Sequence, residues 1–166
     1  MKRILAISLT LILGLSLSAQ IQNKFMGFTL GKSTKSEVYN KIKSNEAFYE
    51  NNNRCCISNV KFAGYTWDIA NFEFYDDRLV AVSFSDLETS TPASLIESTW
   101  RTIKDKLWNK YDKYYITTTS EILLFSDNIT DVALSLSDSD GVLVLVLMYQ
   151  NRDLSIQQRA AETDEL

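Results

Sequence analysis

The sequence predicts a two-layer α+β domain: one curved antiparallel sheet of about seven strands with two helices on one face, arranged as a tandem α-β repeat. Three observations predict it. In Gly141-Val142-Leu143-Val144-Leu145-Val146-Leu147-Met148-Tyr149 the eight residues after the glycine are all apolar or aromatic. That run is too short to cross a membrane and too rich in valine for a helix, so it reads as a central strand. Strand-like alternation recurs in six further segments bounded by glycine, aspartate or asparagine turns. Two amphipathic helix patterns precede them, giving the order helix, three strands, helix, four strands.

The elements follow from the N-terminus. Met1 to Ala19 has the layout of an export leader, with basic Lys2-Arg3, an apolar run from Ile4 to Leu17, and small residues for cleavage before Gln20. Residues 20–151 are then expected to form a single domain, and 152–166 a partly disordered tail with at most a turn of helix. No cysteine stands just after the apolar run, the only two being Cys55 and Cys56, so a lipid anchor is not expected and the mature chain should lack a membrane span. A periplasmic or secreted location follows, bacterial export being preferred on the brevity of the leader.

Gln20 to Phe28 is a lead-in with an edge strand near Phe25. Thr34 can cap a first helix and Glu37 can close a capping box, with Val38 and Ile42 on its inner face. Asn45 to Arg54 lacks periodicity and reads as a loop. Ile57 to Ala63, Tyr65 to Tyr75 and Arg78 to Ser85 are strands, turned at Gly64 and at Asp76-Asp77.

Thr91-Pro92 opens the second helix, in which Ile96, Trp100, Ile103, Leu107 and Tyr111 recur at steps of three and four and must pack on a sheet. Four strands complete the domain: Tyr114 to Thr119, Glu121 to Ser126, Ile129 to Ser137 and Val142 to Asn151. The last two form a hairpin through Asp138-Ser139-Asp140-Gly141, with Leu136 expected opposite Leu143. Leu143, Leu145 and Leu147 then face the core. Val142, Val144, Val146 and Met148 lie on the other face beside small polar residues.

Composition narrows the chemistry. Removing Lys2 and Arg3 takes the net charge from −4 to −6, which argues against nucleic acid or anionic lipid as the main partner. The chain has no histidine, which removes the commonest general base, the commonest zinc ligand and every imidazole triad. Cys55-Cys56 are adjacent, which leaves a vicinal disulfide, an intermolecular bridge or two free thiols; the C-x-x-C spacing of a redox pair is absent.

At Leu30 to Val38 the glycine, threonine and glutamate-valine pattern resembles the opening of the BamE/SmpA lipoproteins and of the β-lactamase-inhibitor-protein group. It covers about ten residues plus the element order. The sequence departs from that pattern in having no lipidation cysteine and no glycine-proline pair after the helix. The resemblance implies a non-enzymatic envelope protein that binds another protein with its open sheet face.

No catalytic residue, cofactor or metal site is expected. Asp127, Asp131, Asp138 and Asp140 read as turn residues rather than a calcium loop, which would need a closing glutamate. Trp108, Tyr111, Tyr114 and Tyr115 form an aromatic cluster able to stack on a glycan or anchor a protein, with Trp108 at the boundary with water. The outer row Val142, Val144, Val146 and Met148 is the sharpest signal, because a contiguous exposed apolar patch marks an interface. The expected function is thus an exported binding protein of the bacterial envelope, contacting another envelope protein or a second copy. The alternative is a carbohydrate-binding module using the aromatic cluster, Trp108 with the nearby Tyr111, Tyr114 and Tyr115.

Overall fold

The computed structural model describes residues 20–45, 48–51 and 53–164. The leader expected at Met1 to Ala19 lies outside the described residues, as do the last two residues of the tail. After a small hairpin, β1 (Lys24–Phe25) and β2 (Phe28–Thr29), comes helix α1 (Lys35–Ile42). Four strands follow: β3 (Tyr49–Asn51), β4 (Arg54–Phe62), β5 (Tyr65–Tyr75) and β6 (Arg78–Leu87). Helix α2 (Ala93–Tyr111) leads to β7 (Tyr115–Thr118), β8 (Ile122–Ser126), β9 (Thr130–Ser139) and β10 (Val142–Asn151), and α3 (Arg152–Asp164) closes the chain. Strands β3 to β10 make one antiparallel sheet in the order β3-β4-β5-β6-β10-β9-β8-β7.

The expected two-layer α+β arrangement is therefore not what forms. Among the described residues the fold is mostly β, 48% strand against 30% helix, with eight strands in the main sheet, a separate two-stranded sheet and three helices. The lead-in pairs with itself at β1 and β2 rather than joining the main sheet as an edge. The asparagine-rich segment read as a loop supplies β3, a short edge strand whose three residues are all exposed. Residues 152–164, expected to fray, form α3. Asn151 starts it by accepting the Leu154 N–H at its Oδ1, 3.0 Å away, which satisfies one of the orphan donors of the first turn.

Helix α3 sits on the face opposite α2. It approaches β10, β6 and β5, and its Arg152, Ile156 and Arg159 share a depression with Leu124 and Asp131. Those two residues alternate with Leu123, Phe125 and Val132, which are buried in the core. The inward positions of α3 are Leu154, Ser155, Gln158 and Ala161, spaced as one helix face but mostly small or polar.

The core lies on the other side of the sheet, under α1, α2 and the β1–β2 hairpin. Trp67, Phe72, Val82, Phe84, Phe125, Val132, Leu134 and Leu145 are all essentially inaccessible there. Phe84 of β6 stacks on Phe62 of β4 at 4.0 Å with the rings 2° from parallel. The inward stripe of α2 is Ile96, Ile103, Leu107 and Tyr111, with Trp100 half-buried beside it. Helix α1 carries the expected capping box between Thr34 and Glu37. In α2 the cap position falls on Pro92 with no side-chain bond, one residue later than the Thr91 start expected.

Four hairpins turn on two residues that both have positive φ: Met26 (50°) with Gly27 (91°), Ala63 (55°) with Gly64 (87°), Asp76 (49°) with Asp77 (56°), and Asp140 (54°) with Gly141 (79°). This backbone suits the right-handed twist of the flanking strands. The last of these turns corrects the expected register. A two-residue loop pairs Leu145 with Leu136 and Leu143 with Asp138, two positions from the four-residue loop predicted. A shift of two leaves every side chain on its expected face.

Candidate functional site

The outer row lies where alternation places it, facing away from the buried Leu145 and Leu147, but it is not an open patch. Val142, Val144, Val146 and Met148 are all half-buried. Pairing explains why. Val146 is flanked by Ser135 on β9 and Ser85 on β6, and the same line runs out to Ile122 and Ile69. The row is a low apolar ridge between serine-floored troughs. The exposed apolar residues lie at the margin instead, at Ile116 (54%), Ile122 (44%) and Ile156 (51%).

The aromatic cluster divides. Trp108 is 44% exposed, as expected at the boundary, whereas Tyr111 is fully buried and belongs to the core. Trp108 packs on Tyr115 at 5.1 Å with the rings tilted by 57°, and on Phe125 at 6.1 Å. Rings that cover one another at such angles do not form a flat platform for a sugar.

Cys55 and Cys56 are free thiols. Successive residues of a strand point to opposite faces, so Cys55 lies in the core opposite Phe72 and Cys56 on the outer face. Burial, with Glu50 adding to it, pushes the Cys55 thiol up to about 11 from an ordinary 9.0, and burial also raises Cys56. Because its folded value is the raised one, Cys55 favours folding fully below about pH 9 and loses that contribution as pH climbs through 11. Iodoacetamide at pH 8 is expected to label the half-buried Cys56 of the folded chain and spare Cys55. Equal labelling, read by peptide mass spectrometry, would contradict this placement.

The turn acids are occupied by backbone. Asp138 Oδ1 accepts the Gly141 N–H at 2.8 Å, and Asp127 Oδ1 accepts those of Ile129 and Thr130 at 3.0 and 2.8 Å. A closer carboxylate pair, Asp68 and Asp86, is not singled out by the sequence. Burial raises the Asp86 carboxyl, the Asp68 N–H lowers it, and the Asp68 charge raises it. Asp86 Oδ1 accepts that N–H at 3.0 Å while Asp68 Oδ2 accepts the Leu87 N–H at 2.9 Å. The two carboxylates take up backbone N–H groups where the β5–β6 ladder ends beyond Ile69 and Ser85, a structural task.

One concavity among the described residues is not announced by the sequence. A cleft of about 380 Å³ opens between α2, the β4–β5 hairpin and the end of β10. Its walls are Phe62, Tyr65, Tyr111 and Tyr149 with Ile103, Leu107 and Leu147, and Ala63 stands at the hairpin turn. Tyr111 Oη accepts the Gln22 N–H at 3.2 Å, which ties the lead-in to the cleft. Tyr149 is 4% exposed, and burial, with Tyr111 as a second cause, holds its phenol far above the usual range. It therefore keeps its proton, and no described residue hydrogen-bonds its hydroxyl. The cleft's charged residues are Lys106 and Lys110, both exposed. Lys106 Nζ donates to Tyr65 Oη at 3.3 Å and stands 4.7 Å from that ring's centroid.

The cleft escapes a linear reading because its walls come from four distant segments, each of which looks like ordinary core. The one local signal is the lysine pair at i and i+4 beside the Ile103-Leu107 stripe. No protein-family model matches this chain, and no curated protein or solved structure matches it.

Proposed function

We propose that this is an exported, non-enzymatic binding protein of the bacterial envelope whose ligand site is the cleft beside α2. The observation that carries the reading is a concavity walled mainly by aromatic and aliphatic side chains, on which the Tyr149 phenol stands without a hydrogen-bond partner among the described residues and the polar groups are few. A bound molecule would bury this apolar lining, and an acceptor on it could take the hydrogen bond that the Tyr149 hydroxyl has to donate. The volume of about 380 Å³ lies within the roughly 300 to 1,000 Å³ usual for small-molecule sites.

The test uses N-phenyl-1-naphthylamine, an uncharged apolar fluorophore. It should bind saturably at one site, and Ala63→Trp, which adds bulk at the exposed turn on the cleft's rim, should weaken binding at least about tenfold with the melting temperature retained. Non-saturable binding, or binding that ignores the substitution, would remove the cleft as the site.

A second reading, contact with another protein across the outer sheet face, draws on Ile116, Ile122 and Ile156 beside the Val146 row and on the resemblance to the BamE/SmpA group. Under it Ile122→Asp, rather than Ala63→Trp, is the disruptive change.

A further inference from the structure

Building on the cleft reading, we infer that the ligand is a single-chain amphiphile with an anionic head: an apolar body between the rings, and a carboxylate or similar group at Lys106 and Lys110. The distribution of polarity carries this. No acidic residue lines the cleft, and both charged groups that do are cations. They stand one turn apart on α2, so their side chains leave the helix on the same side and can reach one head group together.

Neither lysine is in an ion pair among the described residues. Lys106 uses one of its three donors on Tyr65, and Lys110 Nζ rests 5.0 Å from the centroid of the Tyr111 ring. Each ammonium is thus held over a ring in the cleft wall with donors to spare. In a chain of net charge −4 this is a local positive site at an apolar mouth. A cationic head would meet repulsion there, and a neutral one would gain no charge attraction from either ammonium group.

The test displaces N-phenyl-1-naphthylamine with three molecules of equal chain length: decanoate, decanol and decyltrimethylammonium, at pH 8 and low salt. Decanoate is expected to bind about tenfold more tightly than decanol, with the cation weakest. In Lys106→Gln/Lys110→Gln the decanoate-to-decanol ratio should fall to within about threefold, and Lys106→Arg/Lys110→Arg should restore it. Should the fluorophore bind while the three chains displace it equally, or the cation best, the anionic head is overturned and the cleft reading stands. Should the fluorophore fail to bind, the cleft reading falls and this inference falls with it.

Discussion

Phe84→Ala is expected to lower the unfolding free energy by about 3 to 5 kcal/mol, the usual range for removing a fully buried aromatic ring. Phe84 lies on β6 between Ala70 of β5 and Leu147 of β10. Its ring stacks on Phe62 at 4.0 Å and stands 5.9 Å from Trp67. Ala70 is too small to fill the void, and Phe62 and Leu147 are tied to strands on either side. The cavity would persist and add its own term to the lost transfer energy. Urea denaturation of the two chains measures the difference. A loss below about 1 kcal/mol would mean that the site collapses readily and that this stack does not anchor the junction of the two strand groups.

Substituting adjacent residues of β10 should give opposite results. Leu145 is fully buried, opposite Leu136 on one side and Asp86 on the other. Leu145→Asp would place a second carboxylate beside one that is already buried, at a cost of several kcal/mol, and the chain is expected not to fold. Val146 is half-buried between Ser135 and Ser85, where a carboxylate can reach water. Val146→Asp is expected to cost only about 1 kcal/mol. Far-ultraviolet circular dichroism and denaturation of both variants separate these outcomes. If both unfold the protein, the ridge is as deeply covered as the core, and contact through that face is removed from consideration.

The strands were legible because their alternation is strong and their turns are marked. Tyr65–Tyr75 and Val142–Asn151 fall on the expected residues, and the capping box at Thr34 predicted the start of α1. What stayed hidden has a physical reason in each case. Helix α3 packs on a face furnished with Ala81, Ser83 and Met148, so its inner positions need be no larger than Ser155 and Ala161 and leave no apolar stripe to read. Strand β3 is three exposed residues, held by pairing with β4 rather than by burial. The hairpin register missed by two because alternation fixes only which face a residue takes; the turn geometry fixes the count.

For the candidate site the balance is different. Trp108 was placed correctly at the water boundary, and the direction of the Val146 row was right. How far that row stood open depended on the residues that β6 and β9 set beside it, which only the register of the sheet decides. Tyr111 belonged both to the helix stripe and to the aromatic cluster, and only the fold decides between them. Lys106 and Lys110 look like any solvated lysines until the β4–β5 hairpin is brought up beside them.

The sheet order also dictates a timetable. Its middle strand, β10, is synthesised after every other described strand of the sheet, and its pairing with β6 brings Gln150 alongside Ala81. Until then β6 and β9 each present a bare edge, so neither half is a finished structure that could settle early. Completion must await β10, and the two waiting edges make that interval the nascent polypeptide's period of greatest vulnerability to sticking.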